Sequence, residues 1–270
     1  MTVRAVRSLH GGESPWWIDV TTPGRSIFSV VLRSPSSRIS SEQIATNAAA
    51  LAVAQRAGLR APRLLATDLD GRVAGVSASL ETAVSGTSRW SAALTTKLLL
   101  SAGAAIAKVH TVRLIPQPQL PVRTRPIAVD DFAHERRTGR LPTTALLQLA
   151  DERVQAIKTP TTPIVFVHGD VWPGNTMVDG GGVHALIDWK TAGVGNPGVD
   201  LGELRKQAAI LYGEDAPGYV LEGWERASGT RAADIPFWDA VAALNTPTDS
   251  YSPHAALRRD HFLRAAIAQL

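Results

Sequence analysis

The sequence predicts an α+β fold of two unequal parts, a strand-rich N-terminal segment and a mainly helical remainder. Three observations carry this. Short apolar runs separated by Gly or Pro turns extend from Val3 to Leu32, a capping box at Ser40 and Gln43 opens an alanine-rich run, and apolar residues from Ser91 onward recur mostly at helical spacing. At 270 residues, 44% of them hydrophobic, the chain is long enough for one large domain or two modest ones with real cores.

In order, Val3 to Leu9, Pro15 to Val20 and Ile27 to Leu32 read as three strands joined at Gly11-Gly12 and Pro23-Gly24, a meander. Glu42 to Ala57 reads as a helix stopped by Gly58. Pro62 to Asp68 and Val76 to Glu81 complete a five-stranded antiparallel sheet, and Ser85-Gly86 turns the chain into its second part. Ser91 to Val112 is expected as a long helix with Leu94, Leu98, Ala102, Ala105, Ile106 and Val109 on one face, and His110 near its end reads as a packed histidine. Arg113 to Pro142 is the compositional outlier, with Pro116, Pro118, Pro121 and Pro126 and no periodicity for a long element. Thr143 to Ile157 is an amphipathic helix stopped by Pro160 and Pro163, and four more helices are expected at Asp200 to Leu211, Pro217 to Ala227, Asp234 to Leu244 and His254 to Leu270.

Composition narrows the function. Without cysteine there is no disulfide framework, thiolate nucleophile or Cys-ligated zinc, which is compatible with a cytoplasmic location. The longest apolar run, Leu98 to Ala107, is too short to span a bilayer, so no membrane association is expected. The formal charge is +4, but the arginines are scattered and no aromatic-interleaved basic patch occurs, so no nucleic-acid partner is expected either.

Most of the usable chemistry lies between Val165 and Trp189. A β-branched run ending at Val167 delivers His168, Gly169 and Asp170 into a loop broken by Pro173 and Gly174. Thr176 to Val178 and Val183 to Ile187 then form a hairpin around Asp179-Gly180-Gly181-Gly182, which brings Asn175 and Asp188 to one end, beside Asp170. An acid, an amide oxygen and a second acid converging there suit one chemistry, in which Asp170 accepts a hydroxyl proton while Asn175 and Asp188 offer hard oxygen ligands to magnesium. The alternative is that Asp170 and Asn175 cap a loop and Asp188 ends a strand.

His168-Gly169-Asp170, Asn175 five positions on, and Ile187-Asp188-Trp189 after the hairpin together resemble the catalytic segment of the aminoglycoside phosphotransferase and choline kinase family. The resemblance implies a two-lobed protein-kinase-like fold, with a nucleotide-binding lobe over residues 1–84 and a catalytic and acceptor-binding lobe over residues 85–270. It implies ATP as donor, leaving GTP open, with Mg2+ and a hydroxylated small-molecule acceptor. Gly11 and Gly12 would then cover the phosphates, Arg33 would hold them, and the backbone from Glu81 to Val84, Ala83 included, would meet the base. His168 and Asp200, the latter in Gly195-Asn196-Pro197-Gly198-Val199-Asp200-Leu201, would brace the catalytic loop. The segment 113–142 would border the acceptor as a mobile loop or serve as a solvated connector. By letter, Gly193 to Gly198 also matches a dinucleotide fingerprint, but it does not follow the first strand of a βαβ unit and is set aside.

One departure stands out: Asn47 occupies the place of the helix glutamate that pairs with the basic residue of the third strand. Either Glu42 or another acid substitutes, or Arg33 is held less firmly, and the second case favours a nucleotide-binding, non-catalytic relative acting as a sensor or scaffold. On the acceptor side, Asp130, Asp131 and Glu135 mix with Arg123, Arg125, Arg136 and Arg137, and Trp172, Trp224 and Trp238 are expected to add flat apolar surface. This composition points to a neutral or singly charged acceptor, such as a sugar, a nucleoside or a small amino alcohol, rather than a polycationic aminoglycoside.

Overall fold

The computed structural model describes every residue except Met1, Arg25 and Tyr251. Its N-terminal part runs β1 (Thr2–His10), β2 (Glu13–Thr21), β3 (Ile27–Arg33), α1 (Ser41–Arg56), β4 (Leu64–Asp68) and β5 (Ala78–Thr82). The five strands form one antiparallel sheet in the order β1-β2-β3-β5-β4. The meander is as expected, and β5 then inserts beside β3, leaving β4 at the edge. Ser40 caps α1 through the amide of Gln43, whose side chain returns to the Ser40 amide, so two of the helix's orphan donors are satisfied. Helix α1 turns Ile44, Ala48 and Leu51 inward and packs against β4 and β5.

The remainder contains α2 (Thr96–Val109), β6 (Val122–Arg123), α3 (Phe132–Arg137), α4 (Ala145–Gln155), β7 (Val165–Val167), β8 (Thr176–Asp179), β9 (Gly182–Leu186), β10 (Gly193–Gly195), α5 (Gly198–Tyr212), α6 (Ala216–Ser228), α7 (Ile235–Leu244) and α8 (Pro253–Ile267). Helix α2 begins five residues later than its periodicity suggests, because Ser91 to Thr95 remain irregular. The segment 113–142 holds only the two-residue β6 and the six-residue α3. Strands β8 and β9 pair as the expected hairpin, and β7 lies in a small sheet of order β6-β10-β7. Strand β10 is not legible in the sequence, since Gly-Val-Gly has neither alternation nor length to mark it.

Helix α5 is the hub. Leu201, Leu204 and Ala208 join a core that also takes Leu51 of α1, Leu99 and Ile106 of α2, Phe166 and Trp189, while Val199 and Ala209 join a second core with α4, α7 and α8. A helix with apolar contacts on both sides is a buried one, which is why the C-terminal helices assemble around it. Trp224 and Trp238 belong to these cores, at 6% and 1% exposure, so the expectation that they supply acceptor-facing surface is corrected: each ring is large enough to fill a gap between helices, and only Trp172 stays exposed.

Helices α2 and α6 pack backbone to backbone. A Cβ on Gly103 would lie 2.0 Å from the Val220 carbonyl oxygen, and one on Gly223 would lie 2.1 Å from the Leu100 carbonyl oxygen. Gly103→Val is therefore expected to force the helices apart and cost about 3 kcal/mol, read as a lower urea midpoint. An unchanged midpoint would contradict this contact.

Candidate active site

The catalytic segment starts from a strand buried at all three positions, β7, which delivers His168, Gly169 and Asp170 into the loop. Gly169 has φ +81°, and a Cβ there would stand 2.4 Å from the Thr191 carbonyl oxygen, so the turn admits only glycine. Asp200, in the first turn of α5, accepts hydrogen bonds from the His168 and Gly169 amides at 2.8 Å each. Its carboxylate also meets His110 Nε2 at 3.0 Å, while His110 Nδ1 accepts from the Trp224 indole at 2.8 Å. That arrangement makes Nε2 the protonated nitrogen of a neutral His110. Burial opposes ionisation of Asp200, but the hydrogen bond from His110 and those from the loop amides outweigh it and hold the carboxyl below its ordinary range.

His168 is buried against Trp189, with ring centroids 4.4 Å apart, and its Nε2 donates to the Ile187 carbonyl at 2.9 Å. Its Nδ1 accepts the Asp170 amide at 3.3 Å. Burial above all pushes its pKa down, so the ring is neutral and tied at both nitrogens.

Asp170, Asn175 and Asp188 do converge. A short 3-10 turn over Pro173–Asn175 brings the Asn175 amide nitrogen to the Asp170 carbonyl at 2.9 Å and to its carboxyl Oδ2 at 3.1 Å. The Asn175 carbonyl in turn accepts the Ile187 amide at 2.9 Å, so Asn175 and Asp188 stand at adjoining strand ends. Burial raises the Asp170 carboxyl to about 7; Glu203 and Asp188 add to this, while Lys190 and the Asn175 amide oppose it. Asp188 takes φ +63°, a left-handed conformation that aspartate tolerates better than most residues. Burial disfavours its charge too, but Arg33 and Lys190 beside it bring its pKa down to about 2.

Arg33, 5% exposed, is held on two sides. Its Nε and Nη2 bond the Glu81 carboxylate at 3.1 to 3.3 Å, and its Nη1 bonds Asp188 Oδ1 at 2.8 Å. Glu81 also accepts the Asn47 amide at 2.7 Å, and Asn47 Oδ1 accepts the Trp189 amide at 3.0 Å. The missing helix acid is thus supplied from β5, and Arg33 does not lack a carboxylate. Burial works against the guanidinium's charge, but Glu81 and Asp188 outweigh it and raise its pKa further.

Glu81 contributes a buried side chain to the Arg33 pair, and the Ala83 amide donates to the Ser29 carbonyl at 3.1 Å because β5 continues its ladder with β3. At the β1–β2 turn Gly11 and Gly12 have φ +58° and +98°, and the Gly12 amide donates to Ser8 Oγ at 3.0 Å. No hydrogen bond of this turn reaches Arg33, Asp170 or Asp188 among the described residues.

Lys190 is a site residue that the sequence reading misses, although a base two positions after a candidate metal ligand is an available signal. Its ammonium bonds Asp188 Oδ2. It also lines a cleft of about 700 Å³ with Arg38, Glu42, Arg123, Asp130 and Thr191. The cleft borders the catalytic loop, since Ile127, in the segment that forms one wall, donates its amide to the Gly169 carbonyl at 2.7 Å. A groove of about 720 Å³ along α8 and the end of α5 contains none of these residues.

Among the described residues no cluster of three or more His, Cys, Asp or Glu could hold a metal on its own. The donor set fits a hard cation that takes few protein ligands: an ionised Asp188 and, at the adjoining strand end, the amide of Asn175. No helix among the described residues is long and apolar enough to cross a membrane.

Residues 5–244 match the model of the Phosphotransferase enzyme family. Among solved structures the chain is similar to macrolide 2'-phosphotransferase MphH from Brachybacterium faecium, with 18% identity, TM-score 0.63, and coverage of 98% of this chain and 92% of that one. It is similar to amicoumacin kinase hAmiN in complex with AMP-PNP, Ca2+ and Ami, at 12% identity, TM-score 0.63, and coverage of 98% and 88%. A thermostable mutant of aminoglycoside phosphotransferase APH(4)-Ia in ternary complex with AMP-PNP and hygromycin B gives 14% identity, TM-score 0.66, and coverage of 99% and 94%. At these identities the likeness is one of fold. Against curated proteins the sequence finds no match.

The Arg33 network yields a test that needs no ligand. Asn47→Glu sets a second buried carboxylate against Glu81 and removes the donor that Glu81 accepts from. It is expected to destabilise the protein by about 2 to 3 kcal/mol, seen in chemical denaturation. A variant at least as stable as the wild type would refute the role given to position 47.

Proposed function

Because the chain belongs to the Phosphotransferase enzyme family, we propose that it moves the γ-phosphoryl group of ATP, with magnesium, to a hydroxyl of a small molecule. The observation that carries this reading is the convergence of Asp170, Asn175 and Asp188: Asn175 bonds Asp170, the Ile187 amide bonds Asn175 and so sets Asp188 at the adjoining strand end, and Arg33 bonds Asp188. Two of the similar solved structures contain AMP-PNP, which supports ATP as donor. An ATP-consuming reaction suits the cytoplasm.

In this reading residues 1–84 form the nucleotide side and residues 85–270 the catalytic and acceptor side. Asp170 orients the acceptor hydroxyl and takes its proton as the new O–P bond forms. Asn175 and Asp188 would hold magnesium, which would supply positive charge to neutralise the phosphates. Arg33, fixed by Glu81, sets the position of Asp188 and offers positive charge to the phosphates, and the Gly11-Gly12 turn lies over them. His168 and Asp200 brace the loop, so Asp170 is presented without reorganisation. A non-catalytic sensor or scaffold is suggested by Asn47 alone, and that ground disappears once Glu81 is seen to fill the acid's role.

The cleft beside the loop supports an acceptor that is not a polycation. Arg38, Arg123 and Lys190 outnumber Glu42 and Asp130 in its lining, and a multiply charged amine would lose hydration there without enough carboxylates to replace it. Trp172 leaves one flat apolar face exposed two residues from Asp170. A sugar, a nucleoside, a small amino alcohol or a comparable neutral or singly charged metabolite or antibiotic fits this lining. In steady-state assays across aminoglycosides, sugars and amino alcohols, the best kcat/KM is expected for one of the latter two classes. Efficient turnover of a multiply charged aminoglycoside at low micromolar concentration would overturn the acceptor reading.

The base is tested by mutation and by pH. Asp170→Ala should lower kcat by roughly 10²-fold or more with nucleotide affinity nearly unchanged, whereas Asp188→Ala should weaken magnesium-nucleotide binding as well. Since the Asp170 carboxyl is raised to about 7, it is protonated and unable to accept a proton below that pH. The kcat/KM of the wild type should therefore rise with pH to a plateau just above 7. A profile flat from pH 5 to 8, or an Asp170→Ala enzyme with near-normal turnover, would remove Asp170 from the role of base.

A further inference from the structure

Both oxygens of Asp188 are occupied, Oδ1 by Arg33 and Oδ2 by Lys190. The proposed reaction would have the same carboxylate hold magnesium; each oxygen keeps a second lone pair, but a divalent ion set against two cations is repelled by both, so withdrawing one of them favours its binding. Arg33 is badly suited to leave. It is buried, makes three hydrogen bonds to Glu81, and its withdrawal would strand a carboxylate that is only 2% exposed.

Lys190 differs in each respect. Its side chain is 20% exposed, Asp188 is its one carboxylate contact among the described residues, and it forms part of the wall of the open cleft. The neighbouring Thr191 packs its carbonyl against Gly169, which fixes the backbone of Lys190 beside the catalytic loop while leaving the four-carbon side chain free to swing. The ammonium is also close enough to Asp170 for its charge to act on that carboxyl. Its charge therefore reaches both the acid that would take the acceptor's proton and the acid that would hold the metal.

We propose that Lys190 is a catalytic residue, whose ammonium leaves Asp188 when nucleotide binds and moves onto the non-bridging oxygens of the terminal phosphoryl group. This inference rests on the ATP reading. In the transfer, the bond from the γ-phosphorus to the bridging oxygen breaks, the bond to the acceptor oxygen forms, the hydroxyl proton passes to Asp170, and ADP leaves. Lys190 stays protonated throughout and neutralises charge on the equatorial oxygens, where three rotatable donors can follow a moving group. Its exit from Asp188 also couples the arrival of the triphosphate to the release of the metal ligand, so the ligand-free site keeps its carboxylate compensated until substrate comes.

A contact with the terminal phosphoryl group separates triphosphate from diphosphate. Calorimetric titration of the full-length wild type, Lys190→Met and Lys190→Arg with AMP-PNP and with ADP, each with magnesium, reads it directly. Lys190→Met is expected to lose about tenfold in affinity for AMP-PNP, keep or tighten ADP, and lose kcat more than it changes the acceptor KM. Lys190→Arg should restore part of the AMP-PNP affinity. Retained ADP binding shows that the variant is folded. An equal loss for both nucleotides would mean that Lys190 only steadies Asp188, and no loss for either would mean that it touches neither; both results overturn the proposal. If the wild type bound neither nucleotide, the ATP reading itself would fall, and this inference with it.

Discussion

The buried guanidinium of Arg33 is the interaction on which the candidate site depends. It joins Glu81 on β5 to Asp188 after β9, and Glu81 in turn holds Asn47 on α1. A charge this deep is costly unless every donor is met, and here two carboxylates on different elements meet it. A lysine point charge could not give one carboxylate a forked contact while also reaching the other; a planar guanidinium with spread donors can. The N-terminal sheet is thereby tied to the catalytic hairpin through a single side chain. Asn47 adds a second tie, because the same amide group that donates to Glu81 accepts from the backbone of Trp189.

A different kind of constraint holds the other end of the hairpin. Trp224 on α6, His110 at the end of α2 and Asp200 on α5 form a chain of hydrogen bonds that ends on the amides of His168 and Gly169. The hairpin end is thus fixed electrostatically from the sheet, and the loop by a carboxylate acceptor oriented from the helices. Asp170 lies between these anchors and shares in neither. Among the described residues no arginine pairs with it, and its hydrogen bond comes from a neutral amide, which is why burial dominates its ionisation while the half-buried Asp188 stays charged. Two carboxylates a few residues apart in space are driven to opposite protonation behaviour by their neighbours alone.

What is legible in the sequence follows from how local each signal is. The hairpin that carries Asn175 and Asp188 announces itself through Asp179-Gly180-Gly181-Gly182 and the short apolar runs either side, and the capping box of α1 lies within four residues. The Arg33–Glu81 pair is not legible in the sequence because it is fixed by register, not by spacing along the chain. Val31 faces Glu81 across the β3–β5 ladder and Arg33 faces Ser79, so Arg33 and Glu81 become diagonal neighbours only once β5 has inserted beside β3 and pushed β4 to the edge. The same insertion continues the ladder to Ser29 and Ala83, which closes the amide that a shorter strand would have left open. Trp224 and Trp238 are misplaced for a related reason: a tryptophan's face is set by helix packing across three or four elements, and residue type alone does not reveal it.

Charge balance connects these parts. Within the ligand-free site Arg33 and Lys190 offset Glu81 and Asp188, with Asp170 poised near its midpoint at neutral pH. In the proposed reading the incoming phosphates add negative charge to this balance, and a cation released from its carboxylate would offset it. Arg33 cannot move without leaving Glu81 bare, whereas Lys190 stands at the rim of the cleft on a flexible stem. The network that holds Asp188 rigid and ionised thus leaves Lys190 as the more mobile of its two cationic partners, on a flexible stem whose charge also reaches Asp170.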